Sequence, residues 1–112
     1  MYFFTIRSRI NPKSKVAKEF SNAGGAYVNC YISFKDFAGA EKLANFFIRQ
    51  EGWIPEKRTY ARQVQKKDLR TKKQKQYYSE AMKYGYSLVF NMWRKGAKDH
   101  GVDYEAETKR KK

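Results

Sequence analysis

Lysine and arginine residues are concentrated in one segment of the chain, residues 57–75, and their chemistry suits the binding of anions. Nine of these nineteen positions are basic, and Asp68 is the only acidic residue among them. Ammonium and guanidinium groups donate hydrogen bonds to phosphate oxygens and neutralise their charge, so this density indicates an anionic partner. The basic residues are Lys57, Arg58, Arg62, Lys66, Lys67, Arg70, Lys72, Lys73 and Lys75.

Three interpretations of this segment are open: contact with nucleic acid, contact with an acidic protein or membrane surface, or a solvated face that keeps the protein soluble. Like charges at helical spacing repel one another, and an anionic partner would relieve that repulsion. Because the segment is more one-sided than solubility requires, we expect it to contact nucleic acid. The expected phosphate contacts are Lys57, Arg58, Arg62, Lys66, Lys67, Arg70 and Lys73, with added charge from Arg7, Arg9, Lys13 and Lys15 if the first strand lies nearby.

Tyrosines form a second candidate feature. Tyr27 and Tyr31 flank Asn29 on the face of a predicted strand that points away from the predicted core. Exposed rings on a sheet can stack on unpaired bases, at roughly 1–3 kcal/mol per base. Tyrosine is also enriched at protein interfaces, so these rings could instead form a dimer interface or a second core. We keep both tyrosines as candidate nucleic-acid contacts.

The sequence gives little support for a catalytic site or a metal site. Cys30 and His100 are the only cysteine and histidine, which is too few for a structural zinc site. Cys30 lies in an alternating apolar run, which favours a small buried side chain over a nucleophile. The carboxylates are scattered and form no spaced pair suited to acid–base chemistry. We therefore expect no enzyme and no cofactor, although a metal-independent nuclease that uses Tyr, Lys and Arg stays open.

Composition predicts one folded domain with a strongly basic surface. The 112 residues carry 25 Lys and Arg against 11 Asp and Glu, a net charge of +14. Eight Phe, nine Tyr and two Trp are more aromatic residues than a disordered chain carries. No apolar stretch is long enough to span a membrane, and the first residues lack the features of a secretory signal. A cytoplasmic location is expected by default.

Hydrophobic periodicity predicts four strands and two helices. Alternation of apolar and polar residues indicates strands over residues 2–10, 26–34, 53–64 and 86–93. Three- and four-residue spacing indicates helices over 37–51 and 69–84. Asp36 is expected to cap the first of these helices and Gly52 to end it. Residues 16–25 are predicted to form a loop with at most one helical turn.

These elements give the order β-β-α-β-α-β and an α+β fold. Right-handed crossovers favour a ferredoxin-like two-layer sandwich, with both helices on one face of a mixed or antiparallel sheet. Relative to the ferredoxin-like arrangement, the first strand would be additional or displaced. Residues 1–93 are expected to form this single domain, and residues 94–112 a charged tail that is mobile or a frayed helix.

One stretch of the chain partly resembles the RNA-recognition motif. The sequence Tyr31-Ile32-Ser33-Phe34 is similar to the second half of that family's central aromatic strand, and Ala40-Glu41-Lys42-Leu43-Ala44 to the helix that follows it. The first half of the strand signature differs, since Tyr27, Val28 and Asn29 stand where the family has basic, glycine and aromatic residues. The resemblance implies the same fold class and covers about 20 residues of the chain.

The sequence thus predicts a small, non-catalytic domain that binds nucleic acid through a basic strand and helix. The alternative is a protein-binding module, either an inhibitor or immunity-type partner with a basic face for an acidic surface, or a homodimer formed through the tyrosines. The sequence does not distinguish DNA from RNA, or single from double strands.

Overall fold

A sheet of antiparallel strands organises the protein, and the computed structural model describes it over residues 1–96 and 104–107. The strand order is β3-β1-β2-β4-β5, and every neighbouring pair is antiparallel. In chain order the elements are β1 (Tyr2–Ile10), α1 (Val16–Glu19), β2 (Ala23–Ile32), α2 (Phe37–Gln50), β3 (Trp53–Gln63), a 3-10 turn (Lys66–Asp68), α3 (Lys72–Tyr84), β4 (Tyr86–Arg94) and β5 (Tyr104–Glu107).

The larger core lies between one face of the sheet and α2. Alternate residues of the three inner strands point to this face because side chains along a strand alternate between its two sides. These side chains pack against the apolar stripe of α2, and the residues at the centre of this contact are buried. The central members are Phe4, Ile6, Val28, Cys30, Ile32, Leu88, Phe90 and Met92 on the strands, with Ala40, Ala44 and Ile48 on α2.

The ends of α2 follow from its sequence. The Asp36 carboxylate accepts a hydrogen bond of 2.7 Å from the Gly39 N–H, and so satisfies one of the donors left free in the first turn. At the other end Gly52 has a φ of 90°, a left-handed conformation that glycine adopts without strain. The predicted cap, apolar stripe and terminating glycine of this helix are all confirmed.

A second, smaller core lies on the opposite face of the sheet, under α3. Tyr31 and Val89 point to this face and are covered by Tyr77 and Ala81 of α3. Phe3 packs against the edge of this group. The inner strands therefore bury apolar side chains on both of their faces, and the protein has a helix on each side of the sheet.

The ferredoxin-like prediction is wrong, because α2 and α3 lie on opposite faces of the sheet and the four long strands run in the order β3-β1-β2-β4. The chain is α+β, as expected. The similarity to the RNA-recognition motif does not extend to the architecture, since Tyr31, in the matching segment, is 6% exposed and lies beneath α3.

The error arises from applying the crossover rule to both helical connections. β2 and β3 are both antiparallel to β1, so they are parallel to each other, and α2 crosses between them. The handedness rule covers such a connection. β4 is antiparallel to β2 and hence to β3, so α3 joins antiparallel strands. The rule does not apply there, and α3 packs on whichever face still has apolar side chains to bury.

Residues 94–112, predicted as a mobile tail or frayed helix, fall largely outside the described residues. Arg94 ends β4, and within the predicted tail Tyr104–Glu107 forms β5 alongside β4. The loop predicted over 16–25 holds the short helix α1, and β2 begins at Ala23, three residues before the predicted start.

Glycine in β2 makes room for a tryptophan on the second face. Gly25 pairs with Trp93 across the β2–β4 ladder, and the indole lies flat against the glycine backbone. A Cβ atom at Gly25 would overlap Trp93 Cζ2, and one at Gly24 would lie 2.9 Å from Trp93 Cδ1. The ring is only 5% exposed and contacts Tyr27. Glycine is thus required here by close approach and not by an unusual backbone angle.

The variant Gly25→Ala should therefore lower the free energy of unfolding by about 1–3 kcal/mol, the usual cost of inserting a methyl group into a packed site. Urea denaturation measures this change. In a Trp93→Leu background the same Gly25→Ala change should cost less, because the smaller side chain leaves space for the added methyl group. If Gly25→Ala is as stable as the parent protein, the indole does not occupy this position.

Candidate nucleic-acid interface

The basic segment folds into a corner between β3 and α3. Val64 is buried, and its N–H donates a hydrogen bond of 2.8 Å to the Met1 carbonyl, which fixes the end of β3 to the start of β1. The Gln65 N–H then donates to the Asp68 carboxylate at 2.9 Å, and this closes the 3-10 turn. Thr71 caps α3 by accepting a hydrogen bond from the Gln74 N–H at 3.1 Å. One long-range and two local hydrogen bonds therefore fix the path of residues 64–75.

The two arginines of the expected site on β3 lie on opposite faces of the sheet. Arg58 pairs in register with Ile6 and Arg62 with Phe3, which point to different faces. A β-bulge between these two pairs adds one residue to β3 and reverses its alternation. Simple alternation along β3 would place Arg58 and Arg62 on one side of the strand, and the bulge separates them.

Acidic residues neutralise these arginines. Arg58 is 2.9 Å from Glu41 on α2, and its guanidinium also lies 5.0 Å from the centre of the Phe37 ring. Arg62 is 3.5 Å from Asp68. Such exposed ion pairs stabilise the fold little, typically about 0.2–1 kcal/mol, but they reduce the positive charge that each arginine presents to a partner.

Arg7 and Arg9 are paired in the same way, at 3.3 and 3.5 Å from Glu56. The four arginines near β1 and β3 are thus the weaker part of the expected interface.

Three lysines, in contrast, converge on one groove between the 3-10 turn and α3. This space, which we call the lysine groove, has a volume of about 530 Å³. It is lined by Lys66, Lys67, Leu69, Lys75, Tyr78 and Ser79. Within the part of the chain that the structure describes, no carboxylate forms an ion pair with any of these lysines. Three lysines, a tyrosine and a serine therefore border a shared space, and ammonium and hydroxyl groups of these types can donate hydrogen bonds to an anion.

The other basic residues of the expected site are dispersed. Arg70 follows Leu69 directly and is exposed, and Lys73 lies in the first turn of α3. Lys57 is opposite Arg7 in register, about 20 Å along β3 from the groove. Lys13 and Lys15 follow the far end of β1, about 25–30 Å from the end where β3 meets Met1. The structure thus brings together Lys66 and Lys67 and adds Lys75, while Lys57, Lys13 and Lys15 lie elsewhere.

The two tyrosines of the expected site differ in exposure. The Tyr31 ring is 6% exposed, with its centre 5.9 Å from that of Tyr77, and burial raises its pKa. In this conformation Tyr31 has no open face for a base. Tyr27 is half-buried, with its ring centre 5.2 Å from that of Trp93. The sequence left open whether these rings contact bases, form a dimer interface or pack in a second core, and Tyr31 lies in a second core beneath α3.

Three groove or neighbouring residues were missed from the sequence: Tyr60, Tyr78 and Ser79. Tyr78 and Ser79 follow Lys75 at three and four residues, the spacing of one helix face, and this pattern could have identified them. Tyr60 is 49% exposed on β3. It lies two residues before Arg62 with no bulge between them, so alternation along the strand could have placed the two side chains on one face.

Neither a metal centre nor a membrane segment is found among the described residues. Residues 1–96 and 104–107 contain no group of three or more His, Cys, Asp or Glu side chains placed to hold a metal ion. No helix in these ranges combines the length and apolar character needed to cross a bilayer. His100, the possible partner of Cys30 in a catalytic pair, lies outside the described residues.

Cys30 lies at the centre of the larger core, where it pairs with Phe4 on one side and Leu88 on the other. It has no exposed surface, and this burial raises the pKa of its thiol far above the usual range. The thiolate is the reactive form, so we expect Cys30 to be inert to a disulfide reagent such as Ellman's reagent in native protein at pH 8. One thiol per chain should react after unfolding in denaturant. Rapid reaction of the native protein would contradict this placement.

Comparison with known proteins gives no independent indication of function. No protein-family model matches the chain, and neither characterised proteins nor solved structures give a significant match.

Proposed function

We propose that this protein is a non-catalytic nucleic-acid-binding domain that holds the phosphate backbone in the lysine groove. The observation that carries the proposal is the convergence of Lys66, Lys67 and Lys75 on one space, with Tyr78 and Ser79 in the same lining. Phosphate oxygens accept hydrogen bonds from ammonium and hydroxyl groups of these kinds. Each neutralised phosphate also releases condensed counterions, which adds a favourable and salt-dependent contribution to binding.

The electrostatics of α3 support an anionic ligand. Its first turn contains Lys72 and Lys73 and no acidic residue, and Lys75 follows directly. The amino end of a helix carries partial positive charge, so lysines there lower the stability of the helix by a few tenths of a kcal/mol each. A phosphate bound in the groove would offset both this effect and the mutual repulsion of the lysines.

Nucleic acid fits the groove better than an acidic protein. A nucleic-acid strand carries one negative charge on every nucleotide, which in duplex DNA is about one per 3.4 Å of axis for each strand, so neighbouring phosphates of one strand can occupy the groove together. Carboxylates on a protein surface rarely reach this density. The alternative of a homodimer formed through the tyrosines is weakened because Tyr31 is only 6% exposed beneath α3. Tyr27 is half-buried, and its ring packs against Trp93. A monomer in the cytoplasm, where nucleic acid is accessible, is the setting that we propose.

Replacing the three groove lysines together with glutamine should weaken binding to a mixed oligonucleotide. Without these contacts, the slope of log affinity against log salt concentration should fall by about 2, since each phosphate contact contributes roughly 0.7–0.9. Fluorescence anisotropy over a salt series measures both quantities. Binding of the parent protein should itself fall steeply as salt is raised.

The matched control is the triple variant Lys13→Gln, Lys15→Gln and Lys18→Gln, which removes the same charge from exposed positions at the far end of β1. It should keep most of the affinity. If both triple variants lose affinity equally, binding depends on net charge alone and the groove has no special role. If the parent protein binds no oligonucleotide at low salt, the proposed function is wrong.

A further inference from the structure

A small aromatic cleft adjoins the lysine groove. It has a volume of about 120 Å³ and lies on the α3 side of the sheet, between the end of β3 and the start of α3. Leu69 lines both this cleft and the lysine groove, so the two spaces lie next to each other. The lining residues are Phe3, Tyr31, Tyr60, Arg62, Val64, Asp68, Leu69 and Gln74.

Tyr60 is the outermost ring of a row of aromatic side chains that begins in the smaller core. From the core outward the row runs Tyr77, Tyr31, Phe3 and Tyr60, with successive ring centres 5.9, 5.0 and 6.0 Å apart. The inner rings are buried or half-buried and hold the row in place. Tyr60 is 49% exposed, so a large aromatic surface is fixed in position and yet open to solvent.

The surroundings of Tyr60 also favour a polar, planar ligand. Arg62 lies on the same face of β3 and is held by Asp68 at 3.5 Å, so a guanidinium and a carboxylate stand beside the exposed ring. Nucleic-acid bases combine a flat aromatic face with polar edges, and they stack on tyrosine with little dependence on sequence. The cleft and its rim match that chemistry.

We infer that the ligand is single-stranded nucleic acid, with an unpaired base stacked on Tyr60 and the adjoining phosphates in the lysine groove. This inference rests on the proposed function, and it specifies that the nucleic acid is single-stranded. A paired base is stacked on both of its faces inside a duplex and cannot offer one to a side chain unless it is extruded. A duplex could therefore use the groove but not the exposed ring, and single strands should bind more tightly.

The test compares the binding of single strands and duplexes of about twelve nucleotides, a length within the site size of single-strand-binding domains. Oligo-U and oligo-dT provide RNA and DNA single strands, and mixed-sequence duplexes of both chemistries provide the comparison. The parent protein should bind at least one single strand more tightly than the duplex of the same chemistry.

In Tyr60→Leu, affinity for that single strand should fall about tenfold or more, because one stacking contact is lost. Duplex affinity and the salt slope should not change, since the groove lysines remain. Tyr60→Phe should keep most single-strand affinity, because the ring remains. Phe46→Leu is the matched control, since Phe46 is 55% exposed on α2, across the sheet, and its loss should leave binding unchanged.

The outcomes separate the two proposals. If Tyr60→Leu binds single strands as the parent does, or if duplexes bind as tightly as single strands, the stacking inference is overturned. Phosphate binding in the lysine groove would then be judged separately, from the triple lysine-to-glutamine variant. If neither kind of strand binds at low salt, the proposed function fails and the stacking inference with it.

Discussion

Burial of both faces of the inner strands is the constraint on which this structure depends. β1, β2 and β4 each carry apolar side chains toward both sides, so one covering helix cannot shield them from water. Since burying apolar surface is the main favourable contribution to folding, a helix has to cross each face. The path of α3 follows from this requirement, because the chain leaves β3 at one edge and must pass over the second face before it returns as β4. The corner at residues 64–71 is where that path begins, and it carries the basic residues.

The local structure of the chain could largely be predicted from its sequence, but the arrangement of the helices could not. Helix α2 is defined by local features of the sequence, each within a few residues of the next. These are the Asp36 cap, the apolar stripe from Ala40 to Ile48, and Gly52. The face covered by α3 depends on whether β3 and β4 are parallel, and no local pattern reports this. Tyr31 illustrates the result: the sequence left open whether its ring contacts bases, a second chain or a second core, and the position of α3 leaves it almost fully buried.

The sequence predicted which stretch of the chain holds the candidate site, but not how its side chains are arranged in space. Density of charge alone identified residues 57–75, and the lysines of the groove lie within that range. The sequence could not show that Glu41, distant along the chain, lies beside Arg58, or that a bulge turns Arg58 away from Arg62. Pairing with acids divides the basic residues into two kinds. Ion pairs with acidic residues of the same chain hold Arg7, Arg9, Arg58 and Arg62. The groove lysines form no such pair within the described residues.

The register of β1 has a consequence for how the chain reaches this structure. β1 is made first, yet it lies between β2 and β3, and its partner Ala61 is more than fifty residues from Phe4 along the chain. Topologies rich in such distant contacts close large loops before they gain stabilising interactions, and they fold more slowly than local ones. During synthesis, the apolar side chains of β1 should therefore remain without their full set of neighbours until most of the protein has emerged. The high positive charge of the chain would limit aggregation during that interval.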